Sequence, residues 1–300
     1  MNALVIDKIS KNFGGFRAVD NLSVEVDGGI IYGFLGPNGA GKTTTIRMIM
    51  NIIRPDSGKI SIFGDGISIS NQNRVSYMPE ERGLYRKMTA ARILAYFGSL
   101  KGLSAAELSS RVPAWLERVG LADWANKKVE ELSKGMQQKL QFAVAAINEP
   151  DLLILDEPFS GLDPVNQEVV KNILLEIKGQ GKTIILSTHV LSEAEKLCDS
   201  IILINKGRTI IDGPLESIKR RFSTGSVLVE LEGDDSFLGS LPIVAAVDKN
   251  QKRLQIILKD GADPQQLLAE LVGKVRVRLF EIQMPSLHEI FIKLVSQGNG

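Results

Sequence analysis

Nine consecutive residues constrain this chain more than any others. They are Gly36, Pro37, Asn38, Gly39, Ala40, Gly41, Lys42, Thr43 and Thr44, and the first eight spell G-x-x-x-x-G-K-[ST]. A mostly apolar run, residues 30–35, leads into them, and a helical pattern over residues 44–53 follows. The spacing therefore predicts a strand, a glycine-rich loop and a helix. Glycine lets backbone N–H groups turn inward and approach an anion without a side chain in the way. The following helix points the positive end of its dipole at the same charge. Lys42 has the reach for β- and γ-phosphates, and the Thr43 hydroxyl suits Mg²⁺. The alternative is a plain glycine turn before a helix, which the strand–helix setting disfavours.

The rest of the chain places this loop in an α/β frame. Residues 24–26 and 59–63 read as strands, and Pro55 stops the helix between them. Residues 89–146 are rich in Ala, Leu, Glu and Lys at helical spacing and predict a helical insertion. Apolar β runs return at residues 152–155, 183–186 and 200–204, with a helical stretch over 166–178. Buried strands alternating with helices indicate a largely parallel sheet. Beyond Lys219, Arg220 and Arg221 the pattern changes: strands over 227–231, 244–247, 254–258 and 275–282, helices over 264–271 and 285–295. That is material for a separate α+β domain of about 80 residues.

Composition removes several classes of function. With 44% hydrophobic and 24% charged residues, the chain has the make-up of a folded globular protein, not a disordered one. A formal charge of +1 argues against a dedicated nucleic-acid binder. The sole cysteine, Cys198, permits no intrachain disulfide and fits a reducing compartment. Residues 1–11 lack the basic leader and apolar core of a targeting segment. Apolar runs such as 152–155 and 201–204 fall far short of the roughly 20 residues of a spanning helix.

Further chemistry-bearing residues follow. The apolar run 152–155 ends in Asp156 and Glu157, and carboxylates at the end of a buried strand are costly unless paired or metal-bound. Alternation along a strand would aim one acid at a metal and the next at an attacking water, so Asp156 is assigned to Mg²⁺ and Glu157 to the water. A solvated strand end before Pro158 is the competing reading. Ser133 is a good N-cap for the helical run 139–147, and Gly135 permits close approach to an anion, although a plain capped helix fits as well. His189, after a β run and a Ser-Thr pair, is structural or catalytic on this showing; His288 gets only the structural reading.

Together the segments Gly36 to Thr44, Leu132 to Gln137, Leu152 to Pro158, Ser160-Gly161-Leu162-Asp163 and Ser187-Thr188-His189 resemble five motifs of an ABC-transporter ATPase, in that family's order. The match covers about residues 3–216, and the Leu-Ser-x-Gly element is the family-specific part. The resemblance implies a P-loop NTPase with a RecA-like parallel core, an antiparallel β subdomain and the helical insertion within residues 1–219. Residues 220–300 then form a small C-terminal α+β accessory domain. It implies hydrolysis of ATP with Mg²⁺, with Lys42, Glu157 and His189 as catalytic residues, His189 being a switch that contacts the γ-phosphate. It implies a second ATPase chain, a copy of this one or a related one, whose Ser133 and Gly135 close over the nucleotide, with Asp163 joining the two sites. It also implies an integral membrane permease as partner, no nucleic acid, and a place at the cytoplasmic face of the cell membrane.

Three departures qualify the match. Phe13 stands where a tyrosine usually stacks on adenine, and a phenyl ring stacks without bringing a hydroxyl. Glu80 occupies the Gln-loop position, where a carboxylate can ligate Mg²⁺ but adds negative charge beside phosphate. Lys134 and Met136 replace a glycine and a glutamine of the signature, with Lys134 either near a γ-phosphate or facing solvent. These departures resemble an exporter branch with a separate permease, including sodium- and drug-extrusion systems. A soluble ABC ATPase acting on ribosomes, DNA ends or cofactor assembly is the alternative. A GTPase is disfavoured, because Asn205-Lys206-Gly207-Arg208 lacks the aspartate of a guanine reader.

Overall fold

The computed structural model describes residues 2–66, 74–81, 83–223, 225–250, 253–259 and 261–297. It divides into two compact units, Met1–Pro214 and Leu215–Gly300. The first unit is built on a six-stranded sheet. Its strands are β3 (Ile31–Leu35), β6 (Val75–Met78), β7 (Leu152–Asp156), β8 (Thr183–Thr188), β9 (Ser200–Asn205) and β10 (Arg208–Pro214). The order is β10-β9-β3-β8-β7-β6, parallel except for the antiparallel edge strand β10. Every residue of β3, β7 and β8 is buried, which is why these strands read as continuous apolar runs.

A second, antiparallel sheet lies in the same unit, with order β2-β1-β4-β5. It contains β1 (Asn2–Phe13), β2 (Phe16–Asp27), β4 (Ser57–Ile62) and β5 (Asp65–Gly66). Strand β1 is masked in the sequence because its alternation breaks. The pairing with β2 shifts register between Ile6 and Ile9, and Lys8 there has φ +49°. Buried residues of this sheet, Leu4, Ile6, Val24 and Val26, share one core with Phe34, Ile46 and Ile154.

Helices α1 (Lys42–Ile49), α2 (Ala90–Leu100), α3 (Ala105–Arg118), α4 (Lys134–Ala146), α5 (Pro164–Gly179) and α6 (Leu191–Leu197) complete the unit. The expected helical insertion is α2 to α4. Helix α1 begins at Lys42 and ends at Ile49, earlier at both ends than the apolar spacing indicated. Gly41 starts it, and Asn51, at φ +55°, turns the chain away well before Pro55. Helix α4 likewise starts directly after Ser133, whose hydroxyl accepts the Met136 N–H at 3.2 Å.

The second unit is α+β. Strands β11 (Ser226–Glu232), β12 (Val244–Asn250), β13 (Arg253–Leu258) and β14 (Arg276–Ile282) form an antiparallel sheet in the order β12-β13-β11-β14. Helix α8 (Pro264–Leu271) buries Leu267 and Leu271 in the core with Val227, Val229, Leu254 and Ile256. The unit opens with α7 (Leu215–Phe222) and closes with α9 (Leu287–Gln297). The basic run Lys219 to Arg221 therefore falls inside a helix, and the division between units comes before it. Charge clustered in the last turn of a helix favours the helix dipole, so it marked a helix end and not a linker.

Cys198 is packed behind β3: a Cβ added at Gly33 would lie 2.9 Å from its Sγ. Burial pushes its thiol up to about 12. In the native protein near pH 8, we expect alkylation at least about 100-fold slower than in denaturant, because the thiolate is the nucleophile. Mass spectrometry of maleimide-treated protein checks this, and equal rates in the two states would contradict the packing.

Candidate functional site

Parallel strands carry their C-terminal ends to one edge of a sheet, where ligands of open α/β folds collect. Here β3 ends in the Gly36 to Thr44 loop, β7 ends in Asp156 and β8 ends in Thr188, with β8 lying between the other two. That interleaving brings together segments more than a hundred residues apart in sequence.

The loop requires glycine where its backbone approaches its neighbours. A Cβ at Gly36, which has φ +150°, would lie 2.1 Å from the Ile204 carbonyl oxygen. One at Gly41, φ +105°, would lie 2.5 Å from that of Ala18. Lys42 is buried, and its ammonium donates to the carbonyls of Gly36 at 2.7 Å and Pro37 at 3.1 Å. Burial lowers its pKa, and the carboxylates of Glu157, Asp156 and Glu80 act in the opposite direction. The cation is thus folded into the loop, where it can exchange carbonyl partners for phosphate oxygens.

Asp156 is 0% exposed. Its Oδ2 accepts the Thr43 hydroxyl at 2.8 Å, while its Oδ1 is buried with no hydrogen-bond partner. A buried carboxylate oxygen left open beside a hydroxyl is a donor set that fits Mg²⁺. Among the described residues, no group of three or more His, Cys, Asp or Glu gathers to hold a metal alone. Phosphate oxygens and water would therefore complete the shell of an ion held by Thr43 and Asp156, which is how Mg²⁺ is usually bound. Burial first, and the Asp156 carboxylate second, push the nearby Tyr77 phenol up to about 12.

Glu157 is separated from Asp156 by a different device from the one the sequence suggested. Strand β7 stops at Asp156, and Glu157 takes a left-handed conformation, φ +50°, beyond the pleat. A turn, not strand alternation, redirects its side chain, at a strain of about 1–3 kcal/mol. Three donors hold the carboxylate: the Thr188 hydroxyl at 3.2 Å, the His189 N–H at 3.0 Å and His189 Nδ1 at 2.8 Å. An ionised carboxylate only accepts, so this geometry places the proton of neutral His189 on Nδ1.

Two glutamines that sequence reasoning passed over hold these loops in place. Gln138 donates to the carbonyls of Glu157 at 3.1 Å and Pro158 at 3.2 Å. Gln141, one helical turn later, donates to those of Pro79 at 2.7 Å and Glu81 at 3.2 Å, on either side of Glu80. The i, i+3 spacing puts both on one face of α4. That spacing was visible in the sequence, but nothing there showed which loops the amides would meet.

A cleft of about 450 Å³ unites Phe13, the loop from Asn38 to Thr44, Glu80 and Glu157, and it also includes Phe16 and Ala18. Glu80 is exposed on its wall. Ser133, Gly135 and Asp163 are not among the described residues that line it. Ser133 and Lys134 are exposed at the start of α4, and a Cβ on Gly135 would lie 3.3 Å from the Gly161 carbonyl oxygen. Asp163 caps α5, accepting the Asn166 N–H at 2.9 Å, and that bond is the first cause of its lowered pKa.

Comparisons with known proteins identify the family. The model of the ABC transporter family matches residues 19–160, and that of the ATP-binding protein DrrA1-3-like, C-terminal domain, matches residues 213–295. An uncharacterized ABC transporter ATP-binding protein of Bacillus subtilis, YhaQ, is 41% identical over 97% of this chain and 98% of its own length. The Nod factor export ATP-binding protein I of Cupriavidus metallidurans is 37% identical, covering 98% of this chain and 97% of its own. A solved ATP-binding subunit of an ABC transporter superposes with a TM-score of 0.69 at 34% identity, covering 73% of this chain and 93% of that one.

Replacing Gln141 with methionine keeps the volume and removes the donor to both loop carbonyls. Stability should fall by about 0.5–1.5 kcal/mol, the net worth of an ordinary hydrogen bond, because the accepting carbonyls are only partly buried and Gln141 Oε1 is itself without a partner. A denaturant midpoint unchanged from that of the parent protein would show that the amide does not hold the Glu80 loop.

Proposed function

The chain belongs to the ATP-binding subunits of ABC transporters, and from that premise we propose that it powers export through a separately encoded membrane permease. Such subunits bind and hydrolyse ATP, and they generally dimerise and work with membrane partners. Among the described residues no helix is long and apolar enough to cross a membrane, so the permease is proposed as a separate polypeptide. Export is supported by the likeness to a Nod factor export ATP-binding protein along nearly the whole chain, the C-terminal unit included. The cytoplasmic face of the membrane is then the proposed location.

One observation carries the dimeric mechanism. The cleft contains the phosphate loop, Glu80 and Glu157, yet Ser133 and Gly135 do not line it. We propose that a second copy supplies its Ser133 and Gly135, together with the N-terminal end of α4, to the nucleotide. Lys42 would bind the β- and γ-phosphates. Thr43 and Asp156 would hold Mg²⁺, with Glu80 as a further carboxylate ligand, and the bound ion would neutralise charge developing on the phosphates. Glu157 would accept a proton from the attacking water, held in place by Thr188, His189 and the Gln138 amide. His189 would follow the γ-phosphate through its exposed ring, and Asp163 would relay closure between the two sites. Gln141 ties α4 to the Glu80 loop. A cavity of about 320 Å³ beside that loop, walled by Tyr77, Leu84, Phe97 and Leu100, would receive a permease segment.

Glu157→Gln tests the assignment. Turnover should fall by a factor of about 10²–10⁴, the usual range for a general base. ATP affinity should stay within about threefold, a free-energy change below 1 kcal/mol. The variant should sediment as a dimer with MgATP and as a monomer without it. A monomer in both conditions would overturn the shared-site mechanism. The permease assignment is checked by detergent extraction: a complex of defined stoichiometry with an integral membrane protein is expected, and a purely soluble assembly would contradict it.

A further inference from the structure

Two large apolar rings stand in the open at the mouth of the phosphate cleft: Phe13 is 47% exposed and Phe16 is 64% exposed. The β1–β2 register pairs them directly across the Gly14-Gly15 turn. Opposed residues of an antiparallel hairpin share a face, with Cβ atoms about 5 Å apart. Phe13 has the adenine-stacking assignment, and Phe16 has none.

A single exposed apolar residue is ordinary surface. These two are not single, and both line the cleft that contains Lys42 and Thr43. Ala18, two residues beyond Phe16 and so on the same strand face, lines it too. The Ala18 carbonyl also lies against Gly41, so β2 abuts the phosphate loop two residues beyond Phe16.

The hairpin is braced on both arms. Lys11 pairs with Asp56 at 2.7 Å and stands 5.6 Å from the centre of the Phe13 ring. On the other arm Asp20 accepts from Arg17 at 2.8 Å and from Arg208 at 2.7 Å, and its N–H donates to the Gly207 carbonyl at 2.9 Å. The rings are thus offered on an ordered support, which reduces the entropy lost when a ligand docks.

We propose that Phe16 is a second base-contacting ring, forming with Phe13 an aromatic pair that takes the face of the nucleobase. The inference rests on the nucleotide reading of this cleft. Phenyl rings offer π surface and no hydrogen-bonding group, so the pair recognises the face that purines share and not the donors and acceptors on their edges. Adenine and guanine nucleotides therefore lose affinity together when the ring is removed.

The test measures dissociation constants of MgATP, MgGTP and magnesium tripolyphosphate for the full chain and for Phe16→Ala, Phe16→Tyr and Phe13→Ala. Phe16→Ala should weaken both nucleotides about tenfold, within the range for loss of a base-stacking ring. Tripolyphosphate, which has no base, should bind it as tightly as the parent, and Phe16→Tyr should restore nucleotide affinity. Nucleotide affinity unchanged in Phe16→Ala would overturn the proposal while leaving the nucleotide site intact. Equal weakening of tripolyphosphate would also overturn it, because the ring would then be supporting the loop. A parent protein that binds neither ATP nor tripolyphosphate would instead overturn the nucleotide reading itself.

Discussion

A fully buried carboxylate at the end of a fully buried strand is the constraint on which this site depends. Asp156 has one oxygen held by the Thr43 hydroxyl and the other without a partner. Such a group is tolerable only beside a cation or a strong donor. The Thr43 contact also fixes how α1 meets β7, although β8 lies between β7 and β3 in the sheet. The start of the helix, the phosphate loop and the acid are thereby held as one rigid group around the place where Mg²⁺ and phosphate would lie.

From that group the remaining parts are positioned by short links. Glu157 leaves the strand through a left-handed residue, and the end of β8 captures it with a hydroxyl, a backbone N–H and an imidazole. The helical insertion reaches the same place through α4, which gives one glutamine to the Glu157 loop and another to the Glu80 loop. A shift of α4 would therefore move both loops together. On the proposed mechanism this is the physical link between a permease surface near the Glu80 loop and the water-activating carboxylate.

Part of the proposed chemistry lies outside the cleft. Ser133 and Gly135 begin a helix whose positive end is exposed, and Asp163 sits at the start of another. Ser133 and Asp163 are ordinary N-caps in the single chain, so each has a structural role independent of any partner. A dimer interface can reuse them because capping leaves other N–H groups of the first turn free.

The sequence by itself determined the strand–loop–helix at Gly36 to Thr44, the acidic end of β7, the helical insertion and the α+β character of the C-terminal segment. Each of these is written in local periodicity or in residue types with few alternative uses. It did not show β1, because a bulge near Lys8 breaks the alternation, and its apolar spacing carried α1 on to residue 53, past Asn51, whose left-handed backbone turns the chain away after Ile49. Tertiary structure alone decided that a left-handed turn redirects Glu157, that Gln138 and Gln141 clasp two separate loops, and that Phe16 joins Phe13 on the cleft wall. The glutamine contacts join segments that no short window contains, because α4 meets the loops that follow β6 and β7. Phe13 and Phe16 are only three residues apart, but what they face is set by the packing of β2 against the phosphate loop, which no local pattern records.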